Sequence, residues 1–156
     1  MTITIERPTL ADPAMLVTPQ LFDRLTARIR ADYPEHADQA DDIMTQALAF
    51  LAACAANPGA GLGPSELVDI GWHTFLMYTE EYARFCTRIA GRMIHHQPDD
   101  IPGQTGGGAG ITATISAIKA TGYRVNSALW PTAADCSSGG GDKCSQCHAG
   151  CVDSPK

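Results

Sequence analysis

Four of the six cysteines, Cys136, Cys144, Cys147 and Cys151, crowd into the last 21 residues, with His148 directly after the third. Two thiolates separated by two residues can close on one ion, because the intervening pair forms a tight turn that directs both sulfurs inward. A third and fourth thiolate complete a tetrahedron, a geometry that suits zinc, with copper(I) or an iron–sulfur cluster as alternatives. The Cys-x7-Cys-x2-Cys-x3-Cys series therefore points to a soft-metal site. Two other readings compete with it: a small Ser/Gly/Cys appendage whose thiols merely oxidise or cross-link, and a site of thiol redox chemistry. Cys144-Ser-Gln-Cys147-His148 also spells the attachment motif of haem c. That chemistry needs export and apolar surface to bury a porphyrin, and the residues around the motif supply little of the second, so haem c is not expected.

A different donor set sits in the middle of the chain. Asp69 and His73 are one helical turn apart and can touch, and His95 and His96 arrive some twenty residues later, just before Pro98. Asp69, His73 and His96 together make two imidazoles and a carboxylate, a combination that holds one divalent ion. The same pair also suits acid–base catalysis, with Asp69 orienting His73. The plain alternative is a solvated helix face, since Glu66, Asp69, His73 and Glu80 fall on one strip of the helical wheel, and paired histidines before a proline commonly pack or cap.

Those residues need helices to place them. Thr18-Pro19 is a helix start, with a side-chain oxygen for free amides and a proline that has none to waste. Leu21, Phe22, Leu25, Ile29 and Tyr33 then form one apolar stripe up to the stop at Pro34. A second helix fits residues 38–56, burying Ile43, Ala47, Leu48, Phe50, Leu51 and Cys54, the last as an ordinary packed thiol. Ser65 opens a third, predicted as one continuous helix to Ala90 with Gly91 as its stop, roughly 39 Å long. It is expected to be the spine of the fold, with Leu67, Phe75, Tyr82, Phe85, Cys86 and Ile89 on its apolar arc. A glycine-rich loop, GQTGGGAG, precedes a fourth helix over residues 111–121, and Val125, Leu129 and Trp130 finish the core. The loop has neither the order of a dinucleotide-binding fingerprint nor a Walker lysine. The expected architecture is all-α: a small four-helix-type bundle with one long central helix, residues 18–131, an N-terminal arm, 1–17, and a Cys/Gly-rich tail, 132–156, without regular structure unless it binds metal.

Composition narrows the partners. With 156 residues, 44% of them hydrophobic, the chain supports one packed core. A net charge of −6 and no lysine or arginine cluster argue against nucleic acid and against an anionic membrane. No stretch reaches the roughly 18 apolar residues of a membrane span, and no signal-peptide pattern opens the sequence, so a soluble, cytoplasmic protein is expected. A protein partner is conceivable, of no class that the sequence specifies.

The stretch VDIGWHTFLMYTEEYARFC at 68–86, followed by IHHQP at 94–98, resembles the glycine-rich domain-containing protein-like family, known from plants and found in bacteria. Asp69, Trp72, His73, Tyr82, His96 and Pro98 match its signature of an acidic residue ahead of a Trp-His pair, then a tyrosine, then a histidine before proline. Many members carry a second histidine two positions after the first, where this chain has Phe75, and the long glycine-rich region of plant members is missing. The resemblance implies a shared domain and a non-accidental Asp69, His73 and His96 set, and it implies no reaction. The sequence alone favours a metal-binding or interaction module that presents its Cys-rich tail, with a metal-dependent enzyme built on Asp69, His73 and His96 as the alternative.

Overall fold

The computed structural model describes residues 10–96 and 110–131. It is all-α: α1 spans Pro19–Asp32, α2 Ala40–Ala56, α3 Glu66–Leu76, α4 Thr79–Ala90 and α5 Ile111–Ala120. Short 3-10 turns at Pro13–Leu16, Pro34–Gln39 and Ser127–Leu129 fill the connections. Among the described residues β pairing is limited to one isolated bridge, Ala11 with Tyr123. No described helix is long and apolar enough to cross a membrane. The glycine-rich loop over 103–109 and the tail lie outside the described residues, as do positions 1–9 of the arm.

Local chemistry sets several of the helix ends. The Thr18 hydroxyl accepts from the Leu21 amide at 3.2 Å, and the Ser65 hydroxyl accepts from the Val68 amide at the same distance. Each satisfies an amide that the first turn leaves open. Gly91 ends α4 at a φ of 67°, the left-handed conformation a glycine adopts without a Cβ penalty.

Two expectations change. The helix expected over 65–90 is two helices, broken at Met77 and Tyr78, whose amides reach back three residues to Thr74 and Phe75. The break lets the apolar faces on both sides cover one core: the Phe75 ring lies 5.2 Å from Tyr82 and 5.1 Å from Phe85. A straight helix of that length would overrun the 17-residue α2 beneath it, which is only about 26 Å long. The spine is therefore α2. Eleven of its residues are buried, from Ala40 to Cys54, the all-round apolar character of a helix enclosed by others.

Two contacts lock the neighbours onto α2. Gly71 of α3 lies so close to it that a Cβ there would meet the Ala47 Cβ at 2.7 Å and the Ile43 carbonyl at 3.0 Å. Gln46, 3% exposed, donates its amide to the Arg124 carbonyl at 3.0 Å. Its carbonyl oxygen accepts from the Asn126 amide and the Trp130 indole, at 3.1 and 2.8 Å. The segment after α5 is thereby fastened to the middle of the spine. Leu129 and Trp130 are buried there, and Val125 packs against the core in part. Residues 10–17 are tied to the end of α5 by the Ala11 amide, which donates to the Gly122 carbonyl at 3.1 Å.

Candidate metal centre

α3 carries Asp69 and His73 on its outer side and Trp72 on its inner side, since neighbouring positions on a helix point about 100° apart. Trp72 is buried against Phe50 of α2, ring centroids 5.2 Å apart. Its indole N–H donates to the Tyr82 hydroxyl at 2.9 Å, and that hydroxyl donates onward to the Ile94 carbonyl at 2.5 Å. Tyr82 thus ties α3, α4 and the segment after α4 into one buried polar chain. Arg92 adds a second tie, donating to the Cys54 carbonyl at the end of α2 at 3.1 Å.

These ties bring residues 92–96 back over α3. Ile94 is fully buried, and two residues on His96 lies against Trp72, centroids 4.5 Å apart, and against His73 at 4.2 Å. His96 Nε2 is 2.8 Å from Asp69 Oδ1. His73 Nδ1 is 3.1 Å from Asp69 Oδ2 and equally far from the Asp69 carbonyl oxygen. One carboxylate therefore sits between two imidazoles, and the three donor atoms lie within 4.8 Å of one another. The side chains are graded in exposure, 15% for His96, 23% for Asp69 and 51% for His73, so the cluster has a packed side and a side open to solvent.

The structure brings together Asp69, His73 and His96. It leaves out Glu80, which lies beyond the break and pairs with Arg84 one turn along α4. Cys136, Cys144, Cys147, His148 and Cys151 lie outside the described residues. The two described cysteines, Cys54 and Cys86, are buried. Burial pushes the Cys86 thiol up from its ordinary range, while hydrogen bonds to the Ile94 backbone and Tyr82 pull the other way. Cys86 therefore keeps its proton and packs. Trp72, Tyr82 and Arg92 are the positioning residues that spacing did not reveal. Tyr82 reads in sequence as part of an apolar arc, and its hydroxyl bonds depend on where the chain goes after Gly91.

Chemically, the arrangement offers one oxygen and two nitrogen donors of the borderline kind that zinc prefers. Without an ion the same carboxylate can accept from a protonated nitrogen of either ring and so set its tautomer, as in acid–base sites; with an ion between the three groups those nitrogens would be its donors.

The sequence model of the UCP032817-like family matches residues 12–111, and the chain belongs to that family. This overturns the resemblance to the glycine-rich domain-containing protein-like family. The residues that carried that likeness include Trp72 and Tyr82, whose buried hydrogen bond serves packing, so a short motif of this kind reports on a helix pair and not on kinship. No curated protein and no solved structure matches the chain. Asp69, His73 and His96 all fall within the matched range, and membership brings no activity with it.

Proposed function

We propose that this protein binds one divalent, zinc-like ion through Asp69, His73 and His96 and uses the open side of that centre for metal-dependent chemistry. The observation that supports this reading is the convergence of three donors within 4.8 Å from two separate stretches of chain, held by buried contacts. On a tetrahedral ion with bonds of about 2.0–2.1 Å, donor atoms sit about 3.3 Å apart. Asp69 and both histidines have contacts of 2.8 and 3.1 Å, and His73, half exposed, is free to turn its ring toward the ion. Three protein ligands with a solvent-facing fourth position is the pattern of catalytic zinc sites, whereas structural sites are closed.

The Cys-x2-Cys spacing of the tail supports a second, separate soft-metal site at Cys136, Cys144, Cys147, Cys151 and His148. One experiment separates the two. The full-length chain with all four tail cysteines changed to serine is loaded with zinc under reducing conditions and its metal content measured by mass spectrometry. One ion per chain, lost in His96→Ala, is the expected result. Metal that vanishes with the four serines transfers the site to the tail, and no metal in either form leaves an interaction module.

A further inference from the structure

We propose that a polar cleft between α2, the segment after α5 and residues 11–13 binds a basic α-amino acid, its carboxylate on Arg124 and its two cationic groups on Asp12 and Asp42. The cleft shares no lining residue with the Asp69, His73 and His96 trio, and the proposal does not rest on the metal reading. Its volume is about 470 Å³, and three separate stretches of chain wall it. Asp42, Thr45 and Gln46 come from α2, and residues 124–127 and 11–13 close the other sides.

Hydrogen bonds hold these walls in place. Gln46 bonds to the Arg124 carbonyl, the Asn126 amide and the Trp130 indole, so α2 and the segment carrying Arg124 keep one spacing. The Ala11 amide on the Gly122 carbonyl seats the third wall. Asp12 is steadied there by the Ala14 amide, which donates to one carboxylate oxygen at 3.0 Å. A concave site with its backbone fixed in advance loses little affinity to ordering.

Charge decides the class of ligand. The lining carries two carboxylates and one guanidinium, and among the described residues no ion pair joins Arg124 to Asp12 or Asp42. The hydroxyls of Thr45 and Ser127 add groups that donate or accept. A complementary ligand brings two cations and one carboxylate, which are the α-ammonium, side-chain cation and α-carboxylate of lysine or arginine. A dicarboxylate would set like charges against Asp12 and Asp42, and a neutral sugar would leave all three charges unanswered. Taking about 30 Å³ for each non-hydrogen atom, the share a water occupies, the cleft holds roughly 15 such atoms. That is room for either amino acid and a few waters.

The test is titration calorimetry on the full-length chain in the presence of a chelator, which removes any metal that would itself bind amino acids. L-arginine and L-lysine are compared with citrulline, which lacks the side-chain charge, and agmatine, which lacks the carboxylate. The expected result is one site for the basic amino acids, with citrulline and agmatine weaker by about tenfold or more, the effect of losing one charge-assisted pair. Arg124 and Asp42 are exposed, so Arg124→Gln and Asp42→Asn should melt as the unsubstituted chain does. Each should weaken arginine by about tenfold, and Arg124→Gln should no longer prefer arginine to agmatine. His96→Ala should bind arginine unchanged. The inference falls, with the metal reading untouched, if neither amino acid binds at millimolar concentration, if citrulline and agmatine bind as well as arginine, or if Arg124→Gln binds arginine undiminished. Loss of arginine binding in His96→Ala would move the ligand to the other centre and overturn it as well.

Discussion

Removing one oxygen from Tyr82 tests how His96 is held. Tyr82→Phe keeps the ring against Phe75 and deletes the hydroxyl that accepts from the Trp72 indole and donates to the Ile94 carbonyl. Trp72 and Ile94 are both almost completely buried, so water does not easily replace the lost partner. An unpaired buried polar group costs about 1–3 kcal/mol, and two of them bring the expected loss to about 2–4 kcal/mol after some relaxation of the exposed flank of the segment. At about 4 °C per kcal/mol for a domain of this size, melting should fall by roughly 8–16 °C. Urea denaturation followed by circular dichroism measures the loss, provided the slope stays that of the unsubstituted protein. Ile118→Ala serves as a matched control. Ile118 is buried on α5, away from the centre, and its truncation costs about 2–5 kcal/mol by opening a cavity. Both variants lose stability, but Tyr82→Phe alone should weaken cobalt binding, because only it frees the segment that delivers His96. A Tyr82→Phe protein that melts within 2 °C of the original, or that binds cobalt no worse than Ile118→Ala, would refute the argument.

Other substitutions probe the scaffold. Gly71→Ala should lower the urea midpoint even though alanine favours a helix by about 1 kcal/mol over glycine, because the new methyl must push α3 off Ala47 and Ile43; a gain in stability would show that α2 yields. Gln46→Leu strands the Trp130 indole, the Asn126 amide and the Arg124 carbonyl, at a cost of about 2–4 kcal/mol. An aromatic near-ultraviolet signal from Trp130 that survives unchanged would count against that clamp. Cys54 and Cys86 should react with a thiol reagent only after denaturation when the four tail cysteines are serine, and rapid reaction in buffer would contradict their burial. The raised thiol of Cys86 keeps its proton longer in the folded chain than in the unfolded one, so its contribution is present below the unfolded value and is lost as pH rises. The urea midpoint should fall as pH rises past the ordinary thiol value of about 8.5, less steeply in Cys86→Ala, and an identical slope in both would remove Cys86 as the cause.

Helical spacing makes part of this legible from residues alone. Asp69 and His73 are neighbours on any helix, so two of the three donors follow from their four-residue separation. Thr18, Ser65 and Gly91 mark helix ends by chemistry that acts within a turn, and the structure has the ends where those residues put them. The break after Leu76 is harder to read, for no proline or glycine stands at residues 76–79. Its trace is the acidic pair Glu80 and Glu81 just after Thr79, the charge that a helix N-terminus attracts. His96 illustrates the remaining limit. Its arrival over Trp72 depends on Tyr82 and Arg92 binding carbonyls 12 and 38 residues away in sequence, and nothing in a local pattern encodes such a pairing. The centrality of α2 was hidden for a related reason: alanines spread around it look unremarkable until neighbours close on every side.

The missing side chain at Gly71 fixes more than a distance. Sliding α3 along α2 by one residue in either direction would bring Ile70 or Trp72 to a spot where the gap admits only a hydrogen atom. The two helices therefore mesh like a key in its ward, with a single seating and no backlash. Asp69 and His73 stand two residues to either side of that key and inherit its fixity, whereas His96 hangs from a strap of chain beyond Gly91. Side chains aside, any backbone adjustment of the centre to what it holds must come from the strap, with α3 as the anvil against which it closes.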